Sequence, residues 1–132
     1  MPGGEAFSPA QRDEIARAIR IAEESSGFAF SVYVGAAEGE PRSFAESLHG
    51  RLARPERSVL VMVDPAARRL EIVTGSVVCR LVDDKAAGLA ALSMQAAFAA
   101  GDLVGGILTG LQQLGERARQ PKALHTETHT ET

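Results

Sequence analysis

Residues Ser58–Gly75 read SVLVMVDPAARRLEIVTG, and this stretch decides the fold. In Ser58–Asp64 apolar residues occupy both alternations, Val59, Val61 and Val63 on one and Leu60 and Met62 on the other. A strand apolar on both faces belongs inside a sheet covered by helices on both sides. Asp64-Pro65-Ala66-Ala67 follows, with Asp and Pro at the first two positions of a type I turn. Arg69–Thr74 then alternates, Leu70 and Ile72 against Arg69 and Glu71, as an exposed edge strand does. The two segments predict a β-hairpin.

Upstream, Ser8-Pro9-Ala10-Gln11 is a helix start: Ser8 caps, Pro9 suits the first turn and Gln11 completes a capping box. Ile15, Ala18, Ile19 and Ala22 form its apolar face, and Gly27 suits the left-handed position that ends it. Phe28–Val34 predicts a strand, with Phe28, Phe30, Val32 and Val34 on one face. Ser43–Leu52 predicts a second helix that turns Phe44, Ala45, Leu48 and Leu52 inward. Downstream, Ser76–Leu81 fits a short strand or a helical turn. Asp83 or Asp84 caps a third helix reaching about Ala100, with Leu89, Leu92, Ala96 and Ala97 as the expected inner stripe. Gly101 ends it. Asp102 caps a fourth helix built on Leu103, Ile107, Leu111 and Leu114, which Pro121 stops. The expected fold is α/β: a three-layer α/β/α sandwich with a small mixed sheet, in the order α-β-α-β-β-α-α. Its strand–helix–strand crossover is parallel and right-handed.

A chain of 132 residues suits one domain with its own core. The expected division is a leader over 1–7, one domain over 8–120 and a polar tail over 121–132. A net charge of −3 argues against a nucleic-acid partner held by general electrostatics. No apolar run approaches the ~18 residues of a membrane span, and no basic segment followed by an apolar run opens the chain. A cytoplasmic protein is expected. Cys79 is the only cysteine, so no intrachain disulfide forms, and its apolar neighbours predict a small buried side chain.

The chemical motifs are sparse. His125 and His129 stand four apart, as two metal ligands on a helix can, but the Thr-rich repeat around them predicts a polar tail. The run Gly101–Gly110 lacks the Lys-Ser/Thr of a phosphate-binding loop, and its small residues predict close helix packing. Arg42, Arg51, Arg54 and Arg57 could engage an anion or stand solvated. Asp83, Asp84 and Asp102 each precede a helix, where capping accounts for them; converging with Asp64 or Glu71 they would hold a hard cation. No nucleophile elbow, His-Glu-x-x-His or Cys-x-x-Cys is present.

The run VLVMVD with Arg68-Arg69 through Gly75, then Leu81-Val82-Asp83-Asp84, then Ala99 to Leu108 including Gly101-Asp102, resembles the TPM-domain family. So does the first helix ending Glu23-Glu24-Ser25-Ser26-Gly27, and the resemblance spans about residues 8–116. More narrowly, the chain resembles an actinobacterial family of unknown function with a short TPM-like domain. The resemblance implies an α/β/α sandwich. It also implies either an accessory binding module or weak acid-phosphatase activity with divalent cations held by acidic residues. Residue by residue, Arg68 matches the family's arginine before the strand-ending glycine, and Gly75 matches that glycine. Asp83 or Asp84 matches the helix-leading Asp, and Gly101 and Asp102 match the Gly-Asp before the last helix. Glu56-Arg57-Ser58 stands where the family carries an acidic residue and then Asn-Gly.

The leading expectation is therefore a non-catalytic adaptor that binds a protein partner or small ligand, with Arg57, Arg68 and Gly75 as ligand-binding candidates. The alternative is a metal-dependent phosphatase. Glu56, Asp83, Asp84 and Asp102 would then hold Ca²⁺ or Mg²⁺, and Arg57 or Arg68 would meet the phosphate.

Overall fold

A computed structural model of the chain describes residues 7–119. The leader up to residue 6, the tail with His125 and His129, and Pro121 lie outside the described residues. Four helices and three strands follow the expected order: α1 (Pro9–Ser26), β1 (Ala29–Val34), α2 (Pro41–Gly50), β2 (Ser58–Asp64), β3 (Arg69–Thr74), α3 (Asp84–Ala99) and α4 (Leu103–Arg117). Single 3₁₀ turns occupy Pro55–Arg57 and Val78–Arg80.

The start of α1 closes the capping box. The Ser8 hydroxyl accepts from the Gln11 amide at 3.1 Å and the Gln11 side chain accepts from the Ser8 amide at 2.9 Å. Gly27 ends the helix at φ +80° and donates to the Glu23 carbonyl. That left-handed turn is one glycine enters without steric cost.

In the sheet β2 is central, parallel to β1 and antiparallel to β3. All seven of its residues are buried. Phe30, Val59, Val61, Val63 and Ile72 belong to the core shared with α1, α3 and α4. Leu60, Met62 and Val73 belong to a second, smaller core with Ala45, Phe44 and Leu48 of α2. The double alternation of Ser58–Asp64 thus reflects three helices on one face and one helix on the other. The free edge of β3 is blunted by Arg42 of α2, whose guanidinium donates to the Ile72 carbonyl at 2.8 Å and pairs with Glu71 at 3.3 Å.

Helix α4 lies between α1 and α3, and its glycines make that possible. A Cβ on Gly106 would strike the Phe98 ring and one on Gly110 the Met94 side chain, while one on Gly115 would sit tightly against Ala22 at 3.0 Å. The small-residue run is a packing surface, as its spacing predicts.

Two expectations are corrected. Leu89 and Leu92 are not the inner stripe of α3; they are 57% and 63% exposed, while Ala90 and Met94 are buried. The Gly-rich surface of α4 draws α3 close enough to admit an alanine and one flexible methionine, and the branched leucines turn outward. Cys79 is exposed, its thiol donating to the Ser76 carbonyl at 3.2 Å. Its segment folds as a 3₁₀ turn, which sends Val78 inward and Cys79 outward.

Candidate functional site

The two ends of β2 are built differently. At its start, β3 runs out against the Pro55–Arg57 turn. Gly75 donates to the Ser58 carbonyl at 3.0 Å, and Val77 donates to the Glu56 carbonyl at 2.9 Å. A Cβ on Gly75 would overlap the Pro55 carbonyl and the Glu56 backbone, so only glycine fits. Buried His49 places Nε2 3.0 Å from the same Ser58 carbonyl, and the Ser58 hydroxyl donates to the Arg54 carbonyl at 2.6 Å. The Arg57 guanidinium stacks 4.8 Å from the centre of the buried Phe28 ring and reaches the Gly27 carbonyl. This end is packed backbone to backbone, and Arg57 and Gly75 hold it together.

At the far end the hairpin turn opens onto a cleft. Asp64 is 6% exposed, and both of its carboxylate oxygens accept backbone amides. One takes Ala67 of its own turn at 3.2 Å; the other takes Ala37 of the loop after β1 at 3.0 Å. The Asp-Pro start of the turn is as expected, and the Arg68 amide donates to the Pro65 carbonyl. Arg68 itself sits at φ +57°, the one non-glycine residue among those described with a left-handed backbone. The cleft beside it measures about 530 Å³. Arg68, Arg69 and Leu70 line it from the hairpin, and Gln95, Phe98 and Leu103 from α3 and α4. Asp64 and Val63 also contribute to its wall. Arg68 has no ion-pair partner among the described residues. Glu40, whose carboxylate caps α2 by accepting from the Ser43 amide at 2.8 Å, is held below the ordinary carboxylate range. Its bonds to Ser43 are the main cause, and the charge of Arg69 adds to them.

Position matters as much as composition. The cleft lies at the carboxyl end of β2, beside the loop that leaves the carboxyl end of β1. Ligands of open α/β sheets bind outside the carboxyl ends of parallel strands. Of the three ligand-binding candidates, only Arg68 is here. Arg57 and Gly75 lie a strand length away, about 20 Å at the usual rise per residue.

The acidic candidates do not come together. Asp83 accepts from the Ala86 amide at 2.9 Å and Asp102 from the Gly105 amide at 2.8 Å, each capping its own helix. Asp84 stands in the first turn of α3. Helix α3, 16 residues long, begins at Asp84 and ends before Asp102, which sets the two aspartates at its start about 24 Å from Asp102 at the helical rise. Glu56 sits in the Pro55–Arg57 turn, 4.0 Å from Arg54. Among the described residues no three His, Cys, Asp or Glu side chains gather as a metal site would require. As one set, these four do not fit a single cation.

Of the arginines grouped by sequence, Arg42 is bound to Glu46, Glu71 and the Ile72 carbonyl, and Arg57 to the Phe28 ring. Gln95 and Phe98 were not identified from sequence as site residues, and Asp64 was read only as a cation ligand should the helix-leading aspartates converge on it. Phe98 carried a usable signal, as the one aromatic in the Ala-rich α3.

The fold is shared with solved structures. The BA42 protein of Bizionia argentinensis superposes with a TM-score of 0.76 at 19% identity, over 85% of this chain and 81% of that one. N-terminal domains of proteins from P. gingivalis and Corynebacterium glutamicum each give a TM-score of 0.71 at 17% identity, covering 84% and 85% of this chain and 75% and 74% of theirs. Uncharacterized proteins from two strains of Mycobacterium tuberculosis are 29% identical over 85 residues, 64% of this chain. The matched region spans about half, 51%, of those relatives' length. The sequence profile of one family matches residues 3–115, and the chain belongs to that family, described as Domain of unknown function (DUF5130).

Proposed function

We propose that this chain is a non-catalytic, TPM-like binding module whose ligand or partner segment docks in the cleft beside Arg68. The observation that carries the reading is the contrast between its carboxylates and its cleft. Asp83 and Asp102 are committed to helix amides and Asp64 to loop amides, which leaves them poorly placed to act on a substrate. Arg68, by contrast, lines a concave space that also has Leu70, Phe98 and Leu103 in its walls, at the carboxyl end of β2. Among the described residues no helix is long and apolar enough to cross a membrane.

The test is an assay of p-nitrophenyl phosphate hydrolysis with millimolar Mg²⁺, Ca²⁺ or Mn²⁺. The expected result is no turnover above a heat-killed control and no metal-dependent rise in melting temperature. Turnover that Asp84→Asn abolishes would overturn the reading in favour of a hydrolase.

A further inference from the structure

We infer that the cleft takes a small monocarboxylate with an apolar body, its carboxylate on Arg68 and its body against Leu70, Phe98 and Leu103. The inference rests on the binding-module reading and deepens it.

Charge decides the head group. Arg68 stands at the cleft and Asp64 forms part of its wall. The acid offsets the arginine, so a dianion gains little from the local field. What remains is geometry. A guanidinium is a planar fork of donors that matches a carboxylate with two parallel hydrogen bonds. Asp64 makes no ion pair with Arg68 among the described residues, and its two oxygens accept amides from Ala37 and Ala67.

The walls decide the body. Half-buried Leu70 stands on the hairpin beside Arg68, and across the cleft stand the half-buried Phe98 ring and Leu103, with Gln95 as the polar side chain from α3. A volume of about 530 Å³ lies within the range of small-molecule sites. The backbone at Arg68 points the same way. An arginine holds a left-handed conformation that glycine adopts without steric cost. Strain kept at the mouth of a cleft is a mark of a functional position.

Octanoate is the probe, titrated into the isotopically labelled full chain and followed by amide NMR shifts. Saturable shifts at Leu70, Gln95, Phe98 and Gly101 are expected. Arg68→Gln and Arg68→Lys should each weaken binding by about tenfold or more, since lysine keeps the charge without the fork. Arg68→Gly should abolish binding while the melting temperature holds or rises, which separates lost recognition from lost folding. Three results would overturn the inference: octanol binding as tightly as octanoate, inorganic phosphate displacing octanoate, or shifts confined to a second surface groove, of about 310 Å³, that Ile21 of α1 and Leu108 of α4 line. Absence of octanoate binding in a chain that also hydrolyses no phosphate monoester overturns the ligand class and leaves the binding-module reading in place.

Discussion

The two ends of β2 carry the same kinds of residue, arginine beside backbone turns, and use them oppositely. At the start of the strand Arg57 lies on Phe28 and Gly75 is pressed against Pro55 and Glu56. At its finish Arg68 has no such partner and borders open space. An arginine covering an aromatic ring serves the fold; an arginine left unpaired at a strand's carboxyl end is available to a ligand. Sequence neighbours alone do not separate these roles.

The sharpest way to break the comparison is Gly75→Ala. The added methyl meets backbone, which no rotamer change relieves, so we expect a loss of about 3 kcal/mol or more in urea unfolding. A loss under about 1 kcal/mol would mean the start of β2 is looser than described. Asp64→Ala tests the far end. It strands the Ala37 and Ala67 amides in a partly buried place, and about 2 kcal/mol should be lost. Faster hydrogen exchange at Ala37 should accompany it; unchanged exchange there would show that Asp64 does not tie the two loops.

Arg68→Gly has the opposite sign. Relief of the left-handed conformation, about 1–2 kcal/mol, outweighs the entropy that glycine adds to the unfolded chain, about 0.5–1 kcal/mol. A small net gain in denaturant midpoint is expected, and a clear loss would mean the Arg68 side chain supports the fold. The smallest effect concerns pH. The Glu40 carboxyl is held low in the folded chain, chiefly by its bonds to Ser43. Its contribution is therefore present above the unfolded carboxylate value and fades as pH falls through the lower folded value. Glu40→Gln should lower the melting temperature slightly near neutrality, and the difference from the parent should vanish in acid. A difference that persists at low pH would contradict the charged cap.

Much of the architecture was legible because local rules and burial agreed. Ser8, Gln11 and Gly27 bracket α1 as their chemistry dictates, and the doubly apolar β2 required cover on both faces. Helix α3 was harder to orient. It is apolar nearly all round, so periodicity does not choose a face. The glycines of α4 made the choice, favouring Ala90 and Met94 over the leucines. Cys79 failed for a related reason: a three-residue turn has no alternation to read. The cleft was legible only at Arg68. Its other walls come from helices about thirty residues downstream, brought together by packing that no spacing rule encodes. The helix-leading aspartates were readable as caps, and the length of α3 is what keeps them from acting as one group.

The strand order also sets how the chain assembles in time. β2 meets β3 across a four-residue turn, from Asp64 to Arg69, but meets β1 across α2, from Ala29 to Ser58. A hairpin closes in about 1–10 μs, whereas a parallel partner separated by a helix must wait for a longer loop to close. The hairpin is thus the more local of the two pairings, and we expect it to form before β1 arrives. Substitutions in the Asp64–Arg69 turn should act on the folding rate as well as on the cleft. The segment that borders the cleft is then also the one expected to form first.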